Sequence, residues 1–216
     1  MKILVVSDKI VERLRTPSGS DALREVDLIV SCGDLRYDYL EYLLTIANAP
    51  LCYVHGNHDR PMLRESGAIV AEPEGATNLH GKAIAVRVRS GARVLLAGLE
   101  GTHRCGIEGR WTSEFGMSVR VLRLLPRLLW YRMRTGRFLD ILVTHAPPAG
   151  IHEGDDPCHR GFRALRRLIR WARPALALHG HIHPSYGVDV RPVKFGPTRV
   201  LNVYGSMVLE VDDARS

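Results

Sequence analysis

Five apolar, strand-like runs in this chain are each followed directly by residues that could bind a metal ion. The residues are aspartate, asparagine and histidine, whose carboxylate, amide and imidazole groups are ligands for divalent metals. They are Asp8, Asp34, Asn57, His145, His181 and His183. Such side chains are costly to bury unpaired, so packing alone does not explain their recurrence at strand ends. Because the five strand ends can converge on one point, the pattern predicts a metal site.

The geometry within this set favours more than one ion. Asp34 follows Gly33 in a tight turn at the end of a strand, and one carboxylate can bridge two metals. His181 and His183 would share a face in a continuing strand, whereas a small turn could aim them at two neighbouring ions. Two ions about 3.5–4 Å apart form the standard clamp for displacement at phosphorus. Carboxylate, imidazole and amide oxygen together suit manganese, iron, zinc or cobalt.

The elements that would position these residues alternate between short β-like runs and helical patterns, which predicts an α/β fold. Apolar residues at helical spacing predict a helix over 37–48. A turn between two β-like runs predicts a hairpin that pairs 84–88 with 93–98. The Gly-rich stretch 99–116 is predicted to be a loop near the site, and 162–173 a helix with one apolar stripe. Three further strands are predicted over 187–193, 199–203 and 207–211.

Length and composition predict one domain over 1–216, because the chain is large enough for a core and lacks repeats, linkers and low-complexity tracts. The net charge is +7, and all but four of the 30 basic residues are arginines. This excess permits a nucleic-acid or anionic-membrane partner, although a genomic preference for arginine codons explains it equally well. Four cysteines without C-x-x-C spacing are predicted to be reduced thiols in a cytoplasmic protein. No signal peptide or transmembrane segment is expected.

The order of these motifs resembles the calcineurin-like metallophosphoesterases, from residue 2 to about 185. Gly56-Asn57-His58-Asp59 and Gly180-His181-Ile182-His183 contribute most to the resemblance. It implies an α/β fold, a four-layer α/β/β/α sandwich of two mixed sheets, with a dinuclear site at the strand ends. It also implies that Asp34 bridges the metals, that Asp8 and His183 serve the first site, and that Asn57, His145 and His181 complete the second. His58 would protonate the leaving oxygen, with Asp59 orienting it.

One position departs from the family pattern. The usual first motif is Asp-x-His, whereas this chain has Ile10 where the histidine would stand. Purple acid phosphatases, a branch of the same superfamily, also lack that histidine and use a tyrosine in the pattern Gly-Asp-x-x-Tyr. Tyr37 lies at that spacing, so we hypothesise that it replaces the missing ligand and favours Fe(III) in the first site. The alternatives are a weakened or mononuclear site, and a Tyr37 that merely begins the next helix and packs in the core.

The stretch 144–159 is long, polar and rich in proline and glycine, and it begins at a predicted ligand. Long loops in compact domains are often functional. We expect at least one of His152 and His159 to contact substrate, the alternative being an ordinary surface loop. His55 and His179, which precede the two family motifs, are predicted to be buried, hydrogen-bonded support residues.

The segment 119–137 interleaves six arginines with apolar residues, and Pro126 interrupts it. A kinked helix or two short helices are therefore expected. A basic amphipathic stretch could bind an anionic membrane peripherally, bind nucleic acid, cover the core or form a homodimer interface.

The leading hypothesis from the sequence is a phosphoesterase that hydrolyses phosphate mono- or diesters with a metal-bound hydroxide and two ions, Fe, Mn or Zn. One alternative is a nuclease or nucleic-acid-binding protein, suggested by the arginines. A second is a non-catalytic metal-binding scaffold of the same fold, suggested by Ile10.

Overall fold

The structure, a computed structural model, describes residues 1–64, 66–104 and 109–211. Its strands are β1 (Lys2–Ser7), β2 (Leu28–Ser31), β3 (Leu51–Tyr53), β4 (Met62–Leu63), β5 (Ile69–Val70), β6 (Thr77–Asn78), β7 (Lys82–Arg87), β8 (Arg93–Leu99), β9 (Ile141–Thr144), β10 (Leu176–His179), β11 (Val193–Phe195), β12 (Thr198–Asn202) and β13 (Gly205–Glu210). The helices are α1 (Pro17–Leu23), α2 (Tyr37–Ala47), α3 (Glu114–Thr135) and α4 (Arg163–Ala172), with short 3-10 turns at Glu12–Arg15 and Pro184–Tyr186.

Two large mixed sheets form the body of the molecule. The first has the order β13-β1-β2-β3-β6, in which only β13 runs antiparallel to its neighbour. The second has the order β11-β12-β10-β9-β8-β7, in which the two edge strands β11 and β7 are antiparallel. Because parallel strands end on the same side of their sheet, the residues that follow β1, β2 and β3 emerge together, as do those that follow β9 and β10.

The main core lies between the two sheets, and the helices cover their outer faces. Alternation along β1 shows how the sequence builds these layers: Ile3 and Val5 face the second sheet, whereas Leu4 and Val6 face α2. On the other side, α3 and α4 pack against the second sheet around residues such as Leu124. The layers are therefore α/β/β/α, and the fold class expected from the sequence is confirmed.

Two element boundaries differ from the sequence prediction. The segment around Pro126 forms one continuous helix that begins at Glu114, inside the predicted loop, because the Ser113 hydroxyl caps it by accepting from the Gly116 amide at 3.0 Å. The strand predicted over 187–193 instead begins at Val193. Pro192 has no N–H to donate to a neighbouring strand, so pairing starts only after it.

The expected cysteine chemistry is confirmed only in part. Cys32 and Cys52 are buried free thiols, whereas Cys158 is disulfide-bonded, which corrects the prediction that it is reduced. Cys105, for which a reduced thiol is also predicted, lies outside the described residues. Within the described ranges, none of the helices has the length and apolarity needed to cross a bilayer.

Candidate metal centre

The turns that follow the strands hold three of the predicted ligands in a left-handed backbone conformation. Asp8 after β1, Asp34 after β2 and His181 after β10 have φ values of 62°, 56° and 69°. Non-glycine residues seldom adopt this region, and such strain concentrates at functional sites. Of the other described non-glycine residues with this conformation, two end helices α2 and α4, and His152 lies in the 144–159 stretch. The strained turns therefore mark the edge where the ligands emerge.

Glycines allow the carboxylates to lie directly against these turns. A Cβ on Gly56 would come within 2.0 Å of Asp34 Oδ1, and one on Gly180 within 2.4 Å of Asp8 Oδ2. Real Cβ atoms essentially never approach so closely. The glycines of the two family motifs therefore have a steric role, since each leaves room for a carboxylate on a neighbouring strand end.

His145 is fully buried at the centre of this edge and presents one nitrogen to two oxygens. Its Nδ1 donates to the Cys32 carbonyl at 2.7 Å, because a carbonyl can only accept. Its Nε2 lies 2.9 Å from Asn57 Oδ1 and 3.3 Å from Asp34 Oδ2. In the neutral ring this Nε2 is a bare acceptor facing two further acceptors, so the arrangement requires a proton or a metal ion between them. The donor set fits a divalent cation.

The electrostatics of His145 and Asp34 also favour a positive charge at this position. Burial opposes charge on both groups, but their mutual attraction outweighs it. The pKa of His145 is raised to about 9 because Asp34 stabilises the imidazolium, and the pKa of Asp34 is lowered to about 2 by His145 and the His58 amide. This edge of the sheets is thus built to hold positive charge beside Asp34.

The two histidines that follow β10 in the second sheet, His181 and His183, both contact Asp8. The His181 amide donates to Asp8 Oδ2 at 3.0 Å, and His183 Nε2 lies 3.3 Å from Asp8 Oδ1. One ligand atom each from Asp8, Asp34 and His145 lie within 4.8 Å of one another. Burial and the neighbouring His145 lower the pKa of His181 to about 3, which keeps its ring neutral. Its Nε2 donates to the Cys158 carbonyl at 3.2 Å, which leaves Nδ1 as the nitrogen that could bind a metal.

His58 and Asp59 occupy the same turn but act differently. The His58 side chain is exposed, while its amide donates to Asp34 Oδ1 at 2.7 Å. The Asp59 carboxylate accepts from the amides of Gly56, Asp34 and Leu35 at 2.8, 3.1 and 3.1 Å. Asp59 therefore ties together the turns after β2 and β3, and it positions His58 through the main chain rather than through the imidazole ring.

The sequence model of the calcineurin-like phosphoesterase superfamily domain matches residues 1–113, just over half of the chain. This range contains the turns after β1, β2 and β3. The chain belongs to the calcineurin-like phosphoesterase superfamily. No curated protein sequence matches it significantly.

Several solved structures resemble this superfamily member over nearly its whole length. GAP50, the anchor in the inner membrane complex of Plasmodium, is 13% identical, with a TM-score of 0.52 and 94% of this chain and 71% of that chain covered. A single mutant of Vps29 from Entamoeba histolytica is 14% identical, with a TM-score of 0.45 and 99% of this chain and 87% of that chain covered. The NAD nucleotidase NadN of Haemophilus influenzae is 12% identical, with a TM-score of 0.49 and 96% of this chain and 46% of that chain covered. The GAP50 match supports the shared fold alone.

Tyr37, the hypothesised replacement for the missing ligand, is the first residue of α2 and is buried. The centroid of its ring lies 6.1 Å from the centroid of the His55 ring. Its hydroxyl makes no hydrogen bond within the described part of the chain. Burial, followed by the nearby Asp59 carboxylate, raises its pKa to about 12, which opposes formation of a phenolate. No described contact joins the hydroxyl to Asp8, Asp34 or His183. The geometry favours the alternative in which Tyr37 packs in the interior, and its ligand role stays a hypothesis.

A Tyr37→Phe variant distinguishes these roles. We expect unchanged metal content and a colourless iron-loaded protein, because no described hydrogen bond joins the hydroxyl to a predicted ligand. Metal analysis and a visible absorption spectrum measure this. A visible charge-transfer band in the natural protein that disappears in Tyr37→Phe, together with loss of an ion, would establish Tyr37 as a ligand.

The two histidines of the 144–159 stretch have different surroundings. His152 is buried, its Nε2 donates to the Arg191 carbonyl at 2.7 Å, and its Nδ1 lies 2.9 Å from His179 Nε2. Its Nε2 thus ties the loop to Arg191, and its Nδ1 faces the buried His179 ring. His159 is partly exposed, and its Nδ1 donates to Asp156 at 2.6 Å while its ring lies 4.9 Å from that of His181. The geometry favours His159, rather than His152, for contact with substrate.

The support roles predicted for two other histidines agree with their surroundings. Buried His55 lies 3.0 Å from a Glu100 oxygen through Nδ1, and buried His179 donates from Nδ1 to the Gly180 carbonyl at 3.0 Å. Sequence reasoning missed two aromatic residues at the first site. Tyr186 stacks on His183 at 4.9 Å, and Tyr204 lies 4.7 Å from it. Neither belongs to a motif, and only the fold brings Tyr204 from the turn after β12 to this position.

Proposed function

We propose that this protein is a metal-dependent phosphoesterase that hydrolyses phosphate mono- or diesters. The main support is the convergence of Asp8, Asp34 and His145, whose ligand atoms lie within 4.8 Å of one another at the ends of strands from both sheets. Membership of a phosphoesterase superfamily agrees with this reading. The exposed His58 ring stands at the same edge, anchored through its amide to Asp34.

The residues would divide the metals as the family pattern implies. Asp34 would touch both ions, Asp8 and His183 the first, and Asn57, His145 and His181 the second. When bound, such ions neutralise phosphoryl oxygens and make water a stronger nucleophile at neutral pH. Ile10 offers no ligand and instead packs against the core beneath α2, so the first site has fewer protein ligands than the pattern provides. We therefore expect the first ion to be held more weakly than the second.

The chain's own groups then handle the ester and its leaving oxygen. His58 is exposed, and its backbone is fixed by the bond to Asp34, so its imidazole can donate a proton to the departing alkoxide. His159 reaches the other side of the site beside His181. Because Asp156 holds the Nδ1 proton of His159, the opposite nitrogen is left to accept a hydrogen bond from a substrate hydroxyl.

Turnover of chromogenic esters tests the proposal. Natively purified protein should hydrolyse p-nitrophenyl phosphate or bis-p-nitrophenyl phosphate, lose this activity with a chelator, and recover it with Mn²⁺ or Fe²⁺. Metal analysis of the same samples supplies the control, since it shows whether the sites are filled. A fully metal-loaded protein with no turnover of either ester would overturn the proposal and favour the non-catalytic scaffold.

A further inference from the structure

The outward face of α3 carries an apolar stripe that the protein itself leaves uncovered. Phe115, Leu122, Leu129 and Met133 are 78%, 61%, 47% and 78% exposed. Their spacing of seven, seven and four residues places them on one side of the helix, opposite Leu124 and the other residues that face the second sheet. The helix is therefore apolar on two opposite sides, and only one of these is needed for the core.

The same face of the molecule is strongly basic. Helix α3 has five arginines and α4 has four, against a single acidic residue, Glu114. The Glu114 carboxylate accepts from the amides of Arg163 and Ala164 at 3.0 and 2.8 Å, so it serves to cap α4. Within the described ranges, no ion pair joins an arginine of either helix to a carboxylate. Two of these arginines, Arg120 and Arg166, are half-buried and donate to backbone carbonyls at 2.7 and 2.8 Å. The exposed arginines, among them Arg123, Arg134 and Arg167, leave positive charge on this face for a partner.

Tryptophans border the stripe and link it to α4. Trp130 is 37% exposed, with the guanidinium groups of Arg127 and Arg134 over its ring at 4.5 and 5.3 Å. On the other side, a groove of about 350 Å³ separates α3 from α4. Its lining is mainly apolar, with Trp171 and Arg167 at its α4 side. An apolar centre bordered by tryptophan and arginine is the pattern of helices that lie in a membrane interface.

We propose that the α3–α4 face, meaning the exposed surfaces of these two helices, binds the surface of an anionic lipid bilayer. The arginines would meet lipid phosphates, while the stripe and the groove would take up acyl-chain carbon. Charge decides against a second copy of this chain, because a symmetric dimer through this face would place arginines opposite arginines. The apolar centre decides against nucleic acid, whose exposed phosphates offer nothing to cover Leu122 and Met133. The proposal does not depend on the catalytic activity.

Vesicle flotation of the full chain tests this surface. The protein should float with vesicles of phosphatidylcholine containing about 30% phosphatidylglycerol, and not with phosphatidylcholine alone. The Leu122→Glu/Met133→Glu variant should bind at least about tenfold less, because two side chains that enter the bilayer become charged. Ile69→Glu is the matched control, since Ile69 is 74% exposed on the separate β4–β5 strand pair. The Ile69→Glu protein should bind the vesicles as well as the natural protein does.

A second variant keeps the test independent of any folding defect. Arg123→Gln/Arg134→Gln leaves the stripe intact and should weaken binding and reduce its sensitivity to salt. Circular dichroism checks that each variant is folded. Absence of flotation at low salt, equal binding to neutral vesicles, or equal loss in the Ile69→Glu control would each overturn the proposal. So would a dimer that the Leu122→Glu/Met133→Glu substitutions dissociate, because that result would assign the face to a second copy.

Discussion

Replacing Asp34 with asparagine is expected to remove metal from the protein and to lower kcat/KM by roughly a thousandfold or more. Asparagine retains the shape of the side chain and can still accept from the His58 amide, so the turn should survive. The charge is lost, however, and with it the attraction that makes a cation favourable beside His145 Nε2, 3.3 Å away. Metal analysis and ester hydrolysis under the same conditions measure both effects.

Asp38→Asn provides the matched control for this substitution. Asp38 lies four residues further on, in the first turn of α2, where it pairs with Arg36 at the surface. Its replacement should change metal content and turnover little, since exposed ion pairs contribute little. An Asp34→Asn protein that kept its metals and its rate would contradict the assignment of this residue as the central ligand.

Replacing His58 with alanine is expected to lower kcat by about a hundred- to ten-thousandfold while leaving metal content unchanged. The imidazole is exposed, and the contact of this residue with Asp34 runs through its amide, which alanine keeps. The loss should be larger for phenyl phosphate than for p-nitrophenyl phosphate, because the better leaving group needs less help from an acid. Steady-state kinetics on the two esters measure this difference.

The leaving-group comparison separates an acid from a mere structural residue. An equal loss on both esters would indicate that His58 stabilises charge on the phosphoryl group instead of protonating the alkoxide. Loss of metal from His58→Ala would show that the substitution disturbs the Asp34 turn, and the role as proton donor would then lack support.

The centre combines a strained backbone with buried charge. Asp8, Asp34 and His181 adopt left-handed conformations, and Gly56 and Gly180 admit the carboxylates at distances that a Cβ would forbid. These features cost stability, and the surrounding sheets must supply it. The strain therefore accompanies the placement of predicted ligands from both sheets near one another.

Sequence alone determined the ligand candidates and the architecture that carries them. Runs such as Lys2–Ser7 alternate between two buried faces, and polar residues follow them where packing has no use for polar groups. Both patterns are local, because strand periodicity and strand ends are properties of a few neighbouring residues. The four-layer fold then followed from the order of the motifs, which resembles that of a known family.

Tertiary structure decided the surroundings of side chains whose direction the sequence leaves open. Tyr37 has the right spacing for a ligand, yet it packs against the His55 ring and its hydroxyl makes no described hydrogen bond, so its ligand role stays a hypothesis. His152 and His159 are equivalent in sequence, but the fold buries the first against Arg191 and His179 and brings the second beside His181. Likewise, the periodicity of 119–137 could not say which apolar side of α3 faces the core. Only packing against the second sheet left Leu122 and Met133 exposed, because burial is a property of contacts between distant parts of the chain.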